Sequence, residues 1–402
     1  MLTGKKIVLG ISGGIAAYKM ANVASMLVKL NADVHVVMTK NATNFITPQT
    51  FEVLTNNRCY TDTFDRSMEI HVPHVTLGTT ADAFLIAPAS ADVIGKIANG
   101  IADDMLTTTV LPATCPVIIS PSMNVHMYEN KIVQDNIKKL VSYGYEIIDA
   151  DEGYLACREV GKGKLPSESI LVDYILNACA KEKDLAGKKV LVTAGATQES
   201  VDPVRYITNH STGKMGYALA KMAMLRGAEV TLVSGETSLE KPLFVNVVNI
   251  KSARDMFEAV TAVSGEQDII IKAAAVADYR PLNVSDQKIK KSDSDMSISL
   301  ERTDDILQYL GSNKKDNQFI CGFSMETENM LENSQKKLIK KNVDMIAANN
   351  LKVEGAGFGT DTNIMTLITK DGYKELPLMS KEAVADKILD VIVEKISQQI
   401  TD

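Results

Sequence analysis

The chain has 402 residues, enough for two ordinary domains, each with its own core. With 43 basic against 50 acidic side chains the net charge is -7, which gives no general attraction to nucleic acid or to an anionic membrane. No apolar run approaches bilayer length, and the amino terminus reads as a strand and glycine turn rather than a signal peptide, so a cytoplasmic protein is expected.

In chain order, LTGKKIVLGISGG at 2–14 reads as a basic turn, a short β-branched strand and a glycine-bearing reversal. A helix-length stretch from Ile15 to Leu30 and a strand, VHVVMT at 34–39, complete a β-α-β unit. Gly10, Ser12, Gly13 and Gly14 fall between strand and helix, where free backbone N–H groups and the helix dipole can hold a phosphate; a plain tight turn has the same composition. The GxGxxG spacing is absent, and the next strand ends in Met38-Thr39 rather than a ribose-binding acid, so a mononucleotide such as FMN fits better than a dinucleotide.

His74, in HVPHVTL, is either structural or catalytic. Pro88-Ala89-Ser90 ends the next strand on the side where open parallel sheets bind ligands. In DDMLTTT, 103–109, the hydroxyls either face a flavin or cap a helix. The strand CPVIIS, 115–120, runs into PSMNVHMY, where Asn124 can grip a carboxylate through its amide without adding charge. YLACREVGKGKLP, 154–166, sets Cys157 ahead of Gly161 and Gly163 and beside Arg158, Lys162 and Lys164, the composition of a mobile flap or of an ordinary surface loop. Cys59, Cys115, Cys179 and Cys321 are scattered singly, as packing residues in a reducing compartment would be.

Over 177–189 apolar periodicity lapses, and then the opening repeats: LAGKKVLVTAGAT at 185–197, a helix from Gly213 to Arg226, and the strand EVTLVSG. Asp268-IIIKAAAVA-Asp278 has the layout of Asp82-AFLIAPASA-Asp92. Two doubly wound, Rossmann-like α/β domains are expected, over 1–180 and 187–402. The second carries an insertion, Ala196 to Thr212, before its helix. NHSTGKMG at 209–216 is no P-loop, because the first glycine is missing and Met215 stands at the Ser/Thr position. Lys288, Lys290 and Lys291, with Lys337 and Lys341 four apart on one helix face, are either solvated or enclose a triphosphate together with Ala273 to Ala275 and Asp278.

His74, PSMNVHMY and the LACREVGKGKLP flap resemble the flavin-dependent cysteine decarboxylases, in particular the phosphopantothenoylcysteine decarboxylases, over residues 1 to about 180. VTAGATQE, NHSTGKMG, AAAVADYRP, KIKK, GFSMET and GFGTDTN, in that order from 187 to about 365, are similar to the phosphopantothenate-cysteine ligases. Both together resemble the bifunctional coenzyme A biosynthesis family. The resemblance implies CTP-dependent ligation of cysteine to 4'-phosphopantothenate through an acyl cytidylate, then redox-neutral FMN-dependent decarboxylation to 4'-phosphopantetheine, with Mg2+ accompanying the nucleotide.

Carried across, the resemblance implies that Gly10, Ser12, Gly13, Thr39, Pro88, Ser90 and Thr107 bind FMN. His74 would assist oxidation of the substrate thiol, Asn124 hold its carboxylate, and Cys157 donate the proton. Asn209 would meet the acyl intermediate and Lys288 the developing charge; Ala274, Asp278, Lys288, Asp305, Ile306, Phe323, Lys337 and Lys341 would line the CTP site. Which residues would hold the Mg2+ is left open. The partners implied are these small molecules, no nucleic acid or membrane, and further copies of the chain: a homo-oligomer, a dodecamer of decarboxylase trimers and ligase dimers. Arg158 stands for the family's glycine and Lys164 for an arginine, whose bidentate clamp on phosphate a lysine cannot copy. Thr303 and Asp304 replace an asparagine-proline pair. The alternatives are a regulatory flavoprotein subunit of a phosphatase, which need keep neither Cys157 nor a second domain, and a flavin-dependent peptidyl-cysteine decarboxylase, which leaves 187–365 unexplained.

Overall fold

The computed structural model describes residues 1–64, 72–154, 158–290, 296–326, 329–350 and 359–401. They form two compact units, Met1–Lys181 and Glu182–Asp402. The second therefore begins before the expected limit of 187: Lys183 Nζ donates to Leu225 O, and Asp184 pairs with the buried Arg226 guanidinium, which also reaches Asp386 and Asp390.

In the first unit β1 (Lys6–Ile11) leads through a 3-10 turn, Ile15–Tyr18, into α1 (Lys19–Lys29), so the expected helix opens tighter than an α-helix. Then come β2 (Asp33–Met38), α2 (Pro48–Thr55), β3 (Cys59–Tyr60), α3 (Pro73–Thr80), β4 (Ala83–Ala89), α4 (Ala91–Ala98) and α5 (Met105–Val110). They are followed by β5 (Val117–Pro121), α6 (Val125–Glu129), α7 (Lys131–Ser142), β6 (Glu146–Ile147), a hairpin of β7 (Asp151–Tyr154) and β8 (Val160–Lys164), and α8 (Glu168–Cys179). The six main strands are parallel in the order β3-β2-β1-β4-β5-β6. All seven residues of β4 are buried, as a strand covered on both faces requires, and this explains why it reads as an unbroken apolar run rather than an alternating one.

The second unit repeats this order and extends it. Its elements are β9 (Lys189–Ala194), a small hairpin of β10 (Gln198–Ser200) and β11 (Tyr206–Thr208), α9 (Lys214–Leu225), β12 (Glu229–Ser234), β13 (Asn246–Asn249), α10 (Ala253–Ser264) and β14 (Ile269–Lys272). An arm of β15 (Tyr279–Pro281) and β16 (Leu300–Arg302) precedes α11 (Ile306–Ser312), β17 (Phe319–Glu326), α12 (Met330–Lys340), β18 (Met345–Asn350), β19 (Thr362–Thr369), β20 (Gly372–Ser380) and α13 (Lys381–Thr401). The sheet order is β13-β12-β9-β14-β17-β18-β19-β20, with the last two strands antiparallel.

The repeated aspartates have a common cause. Asp82 Oδ2 accepts the Lys6 N–H at 2.8 Å, Asp268 Oδ2 accepts the Lys189 N–H at 2.8 Å, and the lysine one residue earlier, Lys5 or Lys188, pairs with the other oxygen. Each carboxylate thus ties the start of the fourth strand of its sheet order to that of the third, β4 to β1 and β14 to β9. Burial would raise the Asp82 carboxyl, but the Lys6 amide and the Lys5 ammonium hold it below its ordinary value. The likeness ends beyond the strand. Asp92 lies in the first turn of α4, whereas Asp278 precedes the β15–β16 arm, because no helix follows β14 directly.

Candidate active sites

In both sheets successive strands are added first on one side and then on the other. The reversal falls between β1 and β4 in one unit and between β9 and β14 in the other. The crevice beyond the carboxyl ends of strands at such a reversal is where open α/β sheets bind ligands.

Ser12 closes the first crevice. Its buried Oγ donates to Pro88 O at 2.6 Å and accepts the Ser90 N–H at 2.9 Å, while its own N–H donates to Pro88 O at 3.2 Å. Ser90 Oγ in turn caps α4. Thr39 donates its N–H to Ile11 O and accepts the Ala42 N–H. Gly13 lies so near this turn that a Cβ would stand 2.6 Å from Asn41 Cβ. The N–H groups of Gly13 and Gly14 donate to nothing among the described residues, and the helical turn into α1 follows them. That is a cradle for a phosphate-bearing group, so the residues present fit a flavin mononucleotide.

Ser12, Gly13, Thr39, Pro88 and Ser90 therefore meet, and two further expected members also have structural roles. Gly10 lies inside β1 rather than in the loop, where a Cβ would come within 2.5 Å of Leu106 Cδ1; it lets α5 pack onto the sheet. Thr107 is buried and closes a capping box with Asp104, its N–H donating to Asp104 Oδ1 at 2.8 Å, so its polar atoms are taken up by capping.

Asn124 caps α6 through Oδ1, which accepts the His126 N–H at 2.9 Å, and its Nδ2 donates to Glu159 Oε2 at 2.6 Å. A carboxylate of the chain itself thus lies against the amide expected to hold one. His74, second in α3, is half-buried with Nδ1 enclosed and unpartnered; no described hydrogen bond links it to Asn124 or to Ser12. Cys157 lies outside the described residues.

The glycines of the expected flap act in packing. A Cβ on Gly163, at φ +143°, would stand 2.4 Å from Met123 O, and one on Gly161 2.7 Å from Val125 Cγ2. Gly163 O accepts the Met123 N–H at 3.0 Å, and Lys162 pairs with Asp149, which also accepts the Tyr128 hydroxyl. The β8 arm is therefore anchored to the body of its unit. Lys162 draws the Asp149 carboxyl down, and burial with Asp149 pushes the Tyr128 phenol up to about 12. Among the other thiols, burial raises Cys59 to about 12 and Cys115 to about 11, as suits inert packing residues.

The second crevice opens into two adjoining cavities. One, of about 340 Å³, is lined by Asn209, Ala274, Asp278, Phe323 and Lys337; the other, of about 500 Å³, by Asp278, Asp305, Ile306, Phe323, Lys337 and Lys341. Both lie in the size range of small-molecule sites. Asn209 Nδ2 donates to Ala275 O at 3.2 Å, and Lys337 Nζ to Phe323 O at 3.1 Å. Burial would raise the Asp305 carboxyl, but Lys341 and the Gln308 amide hold it low. Thr303 Oγ1 donates to Ala277 O at 2.6 Å, so this departure ties the α11 approach to the loop that follows β14.

Lys288 is exposed and lines neither cavity. Its neighbour Ile289 is clamped by Asp202 Oδ2 and the Arg205 guanidinium. Lys291 lies outside the described residues. Sequence reasoning missed Lys272, which lines both cavities, and the Lys214, Asn349, Asn363 and Lys381 wall of the smaller one. Lys214 pairs with Asp361, and burial together with Lys214 lowers Lys381. Lys214 and Asn363 stood within quoted motifs, whereas Lys272 looked like the end of an apolar strand.

Two doubly wound sheets, the first with a phosphate cradle at its reversal and the second with cavities of small-molecule size there, define a two-site α/β enzyme. The Flavoprotein family matches residues 1–180, and the DNA/pantothenate metabolism flavoprotein C-terminal domain family matches 185–396. The chain is 49% identical to the coenzyme A biosynthesis bifunctional protein CoaBC of Bacillus subtilis (strain 168), over 98% of this chain and 97% of that protein. It is 40% identical to the protein of that name from Escherichia coli (strain K12), over 99% of each. A crystal structure of the C-terminal domain of such a protein is 46% identical and covers 54% of this chain and 100% of its own, with a TM-score of 0.47. The chain belongs to the family of bifunctional coenzyme A biosynthesis proteins, and its first unit is a flavoprotein unit.

Proposed function

We propose that the second unit joins cysteine to 4'-phosphopantothenate at the expense of CTP and that the first then decarboxylates the product, with FMN as its flavin. The observation that carries this reading is the pair of crevices, one on each sheet, at equivalent reversals of strand order. In the ligase the substrate carboxylate displaces pyrophosphate from the α-phosphate, and the cysteine amine then displaces CMP from the acyl cytidylate. Charge builds up on phosphate in the first step, where Lys337 and Lys341 stand. Asn209, held by Ala275 O, faces the acyl side. Mg2+ arrives with the nucleotide; among the described residues no cluster of three His, Cys, Asp or Glu side chains could hold a metal by itself.

In the decarboxylase the flavin, when bound, supplies reversible two-electron transfer. The Gly13 and Gly14 amides bind its phosphate, Asn124 orients the substrate carboxylate by exchanging Glu159 for it, and Cys157 donates the final proton. His74, with a free enclosed Nδ1, assists removal of the thiol proton. Residues of neighbouring copies complete these sites in a homo-oligomer, and a reducing cytoplasm suits the scattered thiols Cys59, Cys115, Cys179 and Cys321.

The test is incubation of the purified chain with 4'-phosphopantothenate, cysteine and either CTP or ATP, following pyrophosphate and carbon dioxide separately. Pyrophosphate release that depends on cysteine and CTP, followed by carbon dioxide, is the expected result. Carbon dioxide from added 4'-phosphopantothenoylcysteine without any pyrophosphate release would leave the decarboxylase and overturn the ligase.

A further inference from the structure

Lys272 ends β14, between Thr193 of β9 and Gly322 of β17, after three buried isoleucines. From a strand covered on both faces, this is the position at which a long side chain leaves the sheet for the crevice. Lys272 belongs to the lining of both cavities. Its ammonium makes no hydrogen bond or ion pair with any described residue, whereas Lys337 donates to Phe323 O and Lys341 pairs with Asp305. Burial, then the like charges of Lys337 and Lys341, outweigh the pull of Asp305 and Asp278 and push its amine down to about 8.

A cation in such a place is costly, and methionine would fill similar space without the charge. The cost is offset when an anion enters. Asn209 marks the acyl side in the smaller cavity, and Asp305 and Ile306 mark the nucleotide side in the larger. Lys272 lies on the wall they share. We infer that Lys272 is a phosphate-binding residue of the ligase site, taking up the charge of the phosphate that links carboxylate to nucleotide; this rests on the ligase reading above.

The experiment is calorimetric titration of the full chain with CTP and Mg2+ and, separately, with cytidine at millimolar concentration. Lys272→Met is expected to weaken CTP roughly ten- to hundredfold, the range for loss of one charge-assisted hydrogen bond, and to leave cytidine binding unchanged. Lys272→Arg should keep most of the CTP affinity. The kcat/KM of ligation for CTP should fall in parallel with Lys272→Met, while decarboxylation of added 4'-phosphopantothenoylcysteine stays intact and shows that the chain is folded. CTP binding within about threefold of the native chain, or equal weakening of CTP and cytidine, overturns the assignment. Failure of the native chain itself to bind CTP overturns the ligase reading and this assignment with it.

Discussion

Replacing Ser12 with alanine removes one hydroxyl and leaves the backbone path unchanged, so its cost can be worked from the bonds lost. Pro88 O keeps the Ser12 N–H at 3.2 Å, and there the loss is an ordinary net hydrogen bond of about 1 kcal/mol. Among the described residues the Ser90 N–H has only Ser12 Oγ, at 2.9 Å, so it becomes an unsatisfied, part-buried donor worth up to about 1–3 kcal/mol. The sum is about 2–4 kcal/mol. For a unit of roughly this size that lowers Tm by roughly 5–15 °C. Calorimetry of the full chain gives the shift, and hydrogen exchange locates it, with the segment around Ser90 losing protection and the β9–β14 region keeping it. A shift below about 1 °C, or equal loss of protection in both units, would refute the view that Ser12 holds the first reversal closed.

Asp82→Ala and Asp268→Ala should each destabilise their own unit by about 1–2 kcal/mol and spare the other, as exchange measured unit by unit would reveal. For Lys272 the amine value in the fold lies below the ordinary one, so the unfolded chain binds more protons between about 8 and 10.5. Ligand-free stability should therefore rise with pH across that window relative to Lys272→Met, by at most about 3 kcal/mol; parallel curves for the two chains would contradict it. Glu159→Ala frees the Asn124 amide from an internal carboxylate and should lower KM for 4'-phosphopantothenoylcysteine, whereas a raised KM would mean that Glu159 itself helps bind substrate.

The two-sheet plan was legible because a strand buried on both faces has no choice but an unbroken apolar run, and KIVLGI and KVLVTA both show it. The convergence of several candidate residues of the second unit on one cavity was legible too. Ile306 of α11, Phe323 of β17, and Lys337 and Lys341 at the end of α12 line one cavity, and the family resemblance supplied the pairing that spacing could not. Glycine is ambiguous in the sequence. At Gly10 it marks a helix pressed on a strand, and at Gly161 and Gly163 close contact with Val125 and Met123, because sequence does not distinguish a missing Cβ that permits motion from one that permits proximity. Lys272 was invisible for a related reason: its meaning depends on the reversal of strand order beside it, which is a property of topology rather than of neighbours in the chain.

The far edge of the second sheet sets a condition on self-association. β20 lies at that edge with nine residues, long enough to template another chain, yet Pro377 offers no N–H there and Lys374 and Glu375 are exposed. Such residues discourage strand addition. Copies of the chain that approach this edge should therefore not extend the sheet across it.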